Sequence, residues 1–153
     1  MKINDVINEQ LIKLDLDAYN RNEVILELAE LMFAEGAINN IESFVDSVND
    51  RERLASTYSG NGVAVPHGIS KSVQKACICF GRAKHIDWDD TGDTPVKFVF
   101  LIAVPDTGDF NDKDNHLNIL SDIAVAALRE DLRKQWAVLE TPEDFIKTLE
   151  IIV

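Results

Sequence analysis

The sequence predicts an α/β fold, because segments typical of strands and segments typical of amphipathic helices interleave along its 153 residues. The longest apolar run, residues 95–104, is rich in β-branched and aromatic side chains. Such a nearly continuous run is typical of a central strand that is buried on both faces. The length fits a single domain, residues 1–153, with one substantial core.

The first third of the chain has the patterns of a short strand followed by a helix. Residues 11–16 alternate apolar and polar side chains near their end, as short strands do. Asn20 is the predicted N-cap of the helix, with Glu23 placed as in a capping box, and Gly36 is its predicted C-terminal stop. The predicted core face of this helix comprises Val24, Ile25, Leu28, Leu31 and Met32.

A second helix is predicted to open at Asn39 or Asn40 and to end in a charged turn, residues 49–53. Its predicted core face comprises Ile41, Phe44, Val45 and Val48. A polar loop then leads to an apolar strand at residues 63–65, and residues 76–80 form the next strand. Residues 85–88 are predicted to be a short extended piece in an acidic loop.

The last third of the chain is predicted to be helical. A polar loop, residues 106–115, leads into a helix that begins at about His116. A shorter helical segment follows, and the last helix has Thr141 as its N-cap and Pro142 at its first position. The predicted core residues of these helices are Leu117, Leu120, Ala124 and Leu128 with Ile119 and Ile123 beside them, then Leu132, Trp136, Phe145, Ile146 and Leu149.

The composition excludes some classes of function. A net charge of −12 argues against nucleic acid and anionic membranes as partners, since binding phosphate backbones needs a basic patch. It is compatible with a basic protein partner, or with solubility alone. Because the chain has neither a signal-peptide pattern nor an apolar run of about 20 residues, we expect a cytoplasmic protein without a membrane segment.

The two cysteines, Cys77 and Cys79, lie two residues apart in a strand-like segment, so their side chains are predicted to point to the same face. A lone Cys-x-Cys without a second pair is a weak metal or disulfide signal. We therefore interpret both as buried structural thiols in a reduced compartment.

The most informative stretch is residues 60–68, in which a short apolar strand runs into Pro66, His67 and Gly68. Pro66 fixes its own φ and favours an extended residue before it, while Gly68 permits a bend or a close backbone approach. This predicts that His67 lies at the carboxyl end of a strand, where open α/β sheets carry their chemistry. The alternative is a histidine that caps the strand and donates one hydrogen bond.

Two further groups are candidates to meet His67 at one end of the sheet. Arg51 lies at the end of the second helix, and His116 lies in the first turn of a later one. Two imidazoles and a planar guanidinium suit a phosphoryl group, which a neutral imidazole can attack. Arg51 could instead form a surface ion pair with Asp50 or Glu52, and His116 could be an exposed first-turn residue.

Other chemistries have weaker support in the sequence. The histidine spacing contains no metal-binding pattern, and neither a nucleophile elbow nor a nucleotide phosphate loop is present. We therefore expect no metal and no cofactor. His85 has no evident partner in the sequence and is assigned to the surface.

With these residues identified, the chain resembles the enzyme IIA component of the bacterial phosphoenolpyruvate-dependent sugar phosphotransferase system, of the fructose–mannitol type. The resemblance is carried by Asp50-Arg51-Glu52 at a helix end, by residues 62–68 (Gly-Val-Ala-Val-Pro-His-Gly), and by residues 116–120 (His-Leu-Asn-Ile-Leu). Their order and spacing match the family, and the likeness covers nearly all of residues 5–150.

The resemblance implies a mixed, mostly parallel central sheet flanked by helices on both faces. It also implies a phosphotransferase component without metal or nucleotide, in which Nε2 of His67 accepts a phosphoryl group from the phosphocarrier protein HPr and passes it to a cysteine of enzyme IIB. Arg51 and His116 would hold the phosphoryl oxygens. The sugar would not touch this component, so the sequence does not identify it.

Three points stay open at this stage. The acidic loop of residues 106–115 is unusual beside a phosphoryl site, and we expect its carboxylates to point outwards. The chain lacks an enzyme IIB cysteine motif, so we expect a free-standing component or a domain of a longer chain. Nitrogen-related members of the superfamily act by binding regulators, and residues 53–57 and 60–62 also fit that branch; a binding module with an inert His67 is a third reading.

Contact with two partners in turn would require an apolar collar around His67. Val65, Ile69 and Phe110 are the candidates for that collar. A charged rim would speed the encounter with a basic phosphocarrier.

Overall fold

The computed structural model describes residues 2–88, 94–108 and 110–150, with only the backbone described at 110–117. These residues form six strands: β1 (Ile12–Lys13), β2 (Tyr58–Gly60), β3 (Val63–Ala64), β4 (His67–Ser70), β5 (Cys77–Ile86) and β6 (Val96–Pro105). They also form five α-helices: α1 (Arg21–Ala34), α2 (Ile41–Leu54), α3 (Phe110–Ala127), α4 (Glu130–Val138) and α5 (Pro142–Leu149). Two 3₁₀ turns, Ile3–Asp5 and Glu9–Leu11, precede β1.

The strands form one mixed sheet in the order β1-β5-β6-β3-β2, with β4 also paired to β6. The pairs β1–β5, β3–β6 and β4–β6 are parallel, whereas β5–β6 and β2–β3 are antiparallel. The predicted mixed, mostly parallel sheet is therefore confirmed. The strand predicted at residues 95–104 is β6, which is central and buried from Phe98 to Val104.

Helices cover both faces of the sheet. Successive side chains of β5 point to opposite faces, so neighbouring residues of this strand contact different helices. On one face, the Cys79 thiol donates to the Leu28 carbonyl of α1 at 3.4 Å. On the other face, Phe80 stacks on Phe145 of α5 with ring centroids 3.9 Å apart, and Trp136 of α4 lies 6.0 Å from the Phe80 ring. Such aromatic pairs each add about 0.5–1.5 kcal/mol beyond their buried area.

The predicted helix ends are confirmed for α1, α2 and α5. Side-chain oxygens of Asn20, Asn40 and Thr141 accept hydrogen bonds from backbone N–H groups three residues further on, at 2.9–3.2 Å. Asn40, rather than Asn39, is the N-cap of α2. Gly36 follows α1 with φ of +73°, the left-handed conformation that glycine adopts most easily at a helix end.

Two predicted boundaries were wrong. β5 does not end at Phe80 but continues to Ile86 through several charged residues. Its Arg82 can lie beside the core because its guanidinium donates to the carbonyls of Leu14, Trp136 and Leu139 at 2.7–3.0 Å. His85 is exposed as predicted, and its Nε2 lies 2.8 Å from Asp87 Oδ1.

The second boundary is the start of α3, which begins at Phe110 instead of at about His116. The polar residues 111–115 are typical of a loop, but Asp and Asn are also favourable in a first helical turn. The carboxylates of residues 106–115 were expected to point outwards. Asp106 is exposed, whereas the side chains of Asp109, Asp112 and Asp114 lie outside the described residues. No helix in the described part of the chain is both long and apolar enough to cross a membrane.

The buried side of α1 is tied to β1 by a carboxylate. Glu27 accepts hydrogen bonds from the backbone N–H groups of Asp17 and Ala18, and Lys13 Nζ lies 2.6 Å from its Oε2. Burial alone would raise the pKa of Glu27, but Lys13 and the two N–H groups together hold that pKa below its usual value. This carboxylate therefore stabilises the fold above pH 4.5, its ordinary pKa, and less so as the pH falls further.

We predict that Glu27→Ala lowers the free energy of unfolding by about 1.5–3 kcal/mol at pH 7, as expected for the loss of hydrogen bonds to a charged group. The loss should shrink as the pH falls below 4.5, because the carboxylate then becomes protonated in the unfolded chain first and in the folded protein at still lower pH. Urea unfolding between pH 3 and 7 measures both effects, with the exposed Glu30→Ala on the same helix as control. A constant difference between wild type and variant across this range would contradict the prediction.

Candidate functional site

His67 lies within a strand that is interrupted but does not change register. β3 pairs Val63 with Phe98, and β4 pairs His67 with Ile102, so both run along β6 at the same offset. Between them, Pro66 has no N–H to donate, but its carbonyl accepts from the Ile102 N–H at 3.0 Å. His67 follows the carboxyl end of β3, as predicted, but it is also the first residue of β4, so the prediction missed that pairing with β6 resumes there.

The imidazole of His67 is half-buried and is held by a backbone carbonyl. Its Nδ1 lies 3.0 Å from the Val65 carbonyl oxygen. A carbonyl only accepts, so Nδ1 carries the proton and the neutral ring has its lone pair on Nε2. The predicted single hydrogen bond is therefore present, and it leaves one ring nitrogen available as a nucleophile.

Gly68 allows β4 to lie directly on α2. A Cβ at this position would lie 2.9 Å from Val48 Cγ2 and 3.1 Å from the Val48 backbone nitrogen, and it would overlap Ser47 Oγ. Since neighbouring side chains in a strand alternate, His67 and Ile69 point to the sheet face opposite α2.

Arg51 lies in the last turn of α2, three residues after Val48 and four after Ser47, so it lies on the helix side that packs against Gly68. Its Nη1 donates to the Ala55 carbonyl at 3.0 Å. The alternative of a surface ion pair is not observed within residues 2–88, 94–108 and 110–150, where Asp50 instead pairs with Arg53. Whether the Arg51 guanidinium contacts a group bound to His67 stays a prediction.

His116 lies on α3, but its side chain is outside the described residues. The helix contacts β2 and α4. The predicted meeting of His116 with His67 therefore stays a prediction.

The surface near His67 differs from the predicted apolar collar. Ile69 is 44% exposed and fits that role. Val65 is buried, because it directly follows β3, which lies between β2 and β6 in the sheet. The Phe110 side chain lies outside the described residues. Leu54, at the end of α2, is 82% exposed and was missed, although its position after a charged turn and before a polar loop hints at exposure.

Glu52 is a second residue that the sequence did not single out. Its carboxylate is only 8% exposed and accepts hydrogen bonds from the backbone N–H and the hydroxyl of Thr57. Long charged side chains are rarely buried without such partners. The charged run of residues 49–53 conceals this burial in the sequence.

The two cysteines lie on the sheet face covered by α1 and are buried, as predicted for structural thiols. Burial raises the pKa of Cys77 to about 12, and it also raises that of Cys79. Neither thiol is therefore a nucleophile at neutral pH. No group of three His, Cys, Asp or Glu side chains in the described part of the chain could hold a metal ion.

Comparison with known proteins relates the chain to one family. The family described as "Phosphoenolpyruvate-dependent sugar phosphotransferase system, EIIA 2" matches residues 5–151. The chain is 30% identical, over 95% of its length, to the fructose-specific EIIABC component of the phosphotransferase system of Bacillus subtilis, of which it spans 22%. It is also 30% identical to the fructose-specific EIIA component of Haloferax volcanii, over 94% of this chain and 92% of the relative.

Solved structures share the fold. The nitrogen regulatory protein IIA-Ntr of Neisseria meningitidis superposes with a TM-score of 0.84 at 24% identity, over 99% of both chains. The enzyme IIA of the mannitol system of Escherichia coli, solved in complex with phosphorylated enzyme IIB, superposes with a TM-score of 0.78 at 22% identity, over 94% of this chain and 96% of that one. At these identities the likeness concerns the fold alone.

We predict that Gly68→Ala lowers the free energy of unfolding by about 1–3 kcal/mol, because the added methyl group overpacks the contact between β4 and α2. Removing the nearest obstacle with Ser47→Ala should recover part of this loss. Urea unfolding of the two single variants and the double variant measures the coupling. Purely additive losses would show that the close approach to Ser47 is not a constraint.

Proposed function

Since the chain belongs to the EIIA 2 family of the phosphoenolpyruvate-dependent sugar phosphotransferase system, we propose that it carries a phosphoryl group on His67 between phospho-HPr and enzyme IIB. The observation that carries the proposal is the 3.0 Å hydrogen bond from Nδ1 of His67 to the Val65 carbonyl. This bond supports attack by Nε2, because it places the proton on the other nitrogen. No metal or cofactor takes part in the proposed reaction.

In the first step, the Nε2 lone pair of His67 forms a bond to phosphorus. The phosphorus–nitrogen bond of the donor phosphohistidine breaks, and its electron pair returns to the donor ring. Nδ1 of His67 keeps its proton, so the phosphorylated ring carries a positive charge next to the Val65 carbonyl. The negative end of that carbonyl dipole stabilises this charge.

In the second step, a cysteine thiolate of enzyme IIB attacks phosphorus and the electron pair of the broken bond returns to Nε2 of His67. The complex of the Escherichia coli mannitol enzyme IIA with phosphorylated enzyme IIB supports this choice of partner by relation. The sugar is then phosphorylated on another component and does not bind here.

Arg51 and His116 are proposed to hold the phosphoryl oxygens. Arg51 suits this role because one guanidinium nitrogen is fixed on the Ala55 carbonyl, and the described residues offer no acidic partner that would neutralise its charge. A fixed cation stabilises the charge spread over the transferring group. For His116, the support is its place in the family pattern alone.

The surface features suit brief contacts with two partners. Ile69 and Leu54 offer exposed apolar side chains, and a net charge of −12 favours encounter with a basic phosphocarrier. Because each partner must leave after transfer, each interface should be small and weak. The transport role is favoured over the regulatory alternative because two relatives that are 30% identical are fructose-specific components, whereas the nitrogen regulatory protein is 24% identical.

We predict that His67→Ala abolishes the mass gain seen after incubation with phosphoenolpyruvate, enzyme I and HPr. The reason is that the substitution removes the only proposed acceptor nitrogen. Intact-mass spectrometry measures the gain, and the exposed His85→Ala serves as the matched control that should still be labelled. Labelling of the His67→Ala protein would refute the assignment.

We also predict that Arg51→Ala and His116→Ala still accept a phosphoryl group but transfer it about 10–1000 times more slowly. The upper part of this range corresponds to the loss of one donor to a developing negative charge, which costs about 100- to 1000-fold in rate. Rapid-quench measurement of transfer to enzyme IIB gives the rates, with Arg53→Ala as a control on the same helix turn. Wild-type rates in either variant would show that the substituted residue takes no part.

A further inference from the structure

We propose that Glu52 is a positioning residue for His67, acting through Thr57 and Val65 to fix which ring nitrogen carries the proton. The importance of that tautomer for transfer rests on the proposed function, but the tautomer itself is a property of the unphosphorylated protein. Three consecutive hydrogen-bonded links connect the Glu52 carboxylate to the imidazole.

The first link is between Glu52 and Thr57. The carboxylate is 8% exposed, and its two oxygens accept from the two donors of Thr57: Oε2 from the backbone N–H at 3.3 Å, and Oε1 from the hydroxyl. A carboxylate only accepts, so it forces the Thr57 hydroxyl to donate. The segment that follows α2 is thereby fixed to its last turn.

The second and third links run through the backbone. The Thr57 carbonyl accepts from the Val65 N–H at 3.0 Å, and the Val65 carbonyl accepts from Nδ1 of His67 at 3.0 Å. Between Val65 and His67 stands Pro66, whose fixed φ limits how the Val65 carbonyl can turn. Displacing Thr57 therefore moves the acceptor that orients the ring.

The segment between the helix and the strand needs such side-chain support. α2 ends at Leu54, and the Ala55 that follows it has an extended backbone with φ of −170°. Arg51 donates to the Ala55 carbonyl. Arg51 and Glu52 thus hold residues 55–57 from two directions. Glu52 lies at the carboxyl end of a helix, where a negative charge is unfavourable. A purely stabilising residue there would more naturally be neutral or basic, which favours a role tied to Thr57.

The consequence for the ring follows from competition between tautomers. With the Val65 carbonyl in place, the proton stays on Nδ1 and Nε2 can attack. If that acceptor is displaced, the form protonated on Nε2 becomes populated, and this form has no lone pair on the attacking atom. Losing one net hydrogen bond shifts the ratio of the two forms by about fivefold to tenfold.

The test is ¹⁵N NMR of the histidine rings in the unphosphorylated protein, above the pH at which the rings are charged. The His67 signals are assigned by their loss in His67→Asn. In wild type, the shifts should show the proton on Nδ1. In Glu52→Ala, the ratio of the Nε2-protonated form to the Nδ1-protonated form should rise by about fivefold to tenfold. Glu52→Gln can still accept from the Thr57 N–H, so its ratio should stay close to that of wild type.

The matched control is Glu42→Ala, which removes an exposed acid from the first turn of the same helix and should leave the ratio unchanged. Thr57→Val removes the hydroxyl that donates to Glu52 but keeps the backbone N–H. If Glu52→Ala does not fold, the tautomer ratio of Thr57→Val tests the proposal instead. This variant should shift the ratio in the same direction. An unchanged tautomer ratio in folded Glu52→Ala would overturn the proposal. If Glu52→Ala does not fold, an unchanged ratio in Thr57→Val would overturn it. A shift in Glu42→Ala equal to that in Glu52→Ala would also overturn it.

Transfer from phospho-HPr then separates the two proposals. Glu52→Ala should be phosphorylated more slowly than wild type, by the same factor by which the measured fraction of rings protonated on Nδ1 falls. If wild type itself is not labelled, the proposed function fails, while the link between Glu52 and the tautomer stands or falls on the NMR result alone.

Discussion

The pairing of β6 with both halves of an interrupted strand is the constraint on which the site depends. Because β3 and β4 share one register along β6, the two residues between them cannot shift along the sheet. The chain keeps its hydrogen bonding through the Pro66 carbonyl, and the Val65 carbonyl is left to accept from the His67 ring. The paired strands thereby place a carbonyl that favours the proton on Nδ1 of a half-buried histidine.

The sheet also sets what surrounds that histidine. Gly68 brings β4 onto α2, and this contact places the last turn of the helix, with Arg51 and Glu52, beside the interrupted strand. The two adjacent residues have different roles. The Arg51 guanidinium donates to the Ala55 carbonyl, whereas the Glu52 carboxylate is buried against Thr57. The proposed phosphoryl transfer would use both features, since such transfer depends on positioning and charge stabilisation more than on covalent chemistry.

Much of the fold could be predicted from the sequence because the relevant signals are local. The N-caps Asn20 and Thr141 and the buried strand β6 follow from nearby residues alone. The continuation of β5 could not be predicted, because Arg82 is accommodated by carbonyls that are distant in the chain. The burial of Glu52 was hidden for the same reason, since a charged run gives no sign of which side chain turns inward.

The sequence stretch around His67 predicted the strand that precedes this residue but not the strand that begins with it. A proline after an apolar strand normally ends it, and only the register with β6 shows that pairing resumes at His67. The position matters for chemistry, because a ring at the start of β4 can donate to the Val65 carbonyl two residues earlier.

The central claim is that Nε2 of His67 carries the phosphoryl group while Nδ1 keeps its proton. The most direct measurement is the ³¹P–¹⁵N coupling pattern of the protein labelled with ¹⁵N-histidine and phosphorylated by HPr. We expect phosphorus to couple to Nε2 of His67 and the proton to be on Nδ1. Phosphorus coupled to Nδ1, or to a ring of His85 or His116, would contradict it.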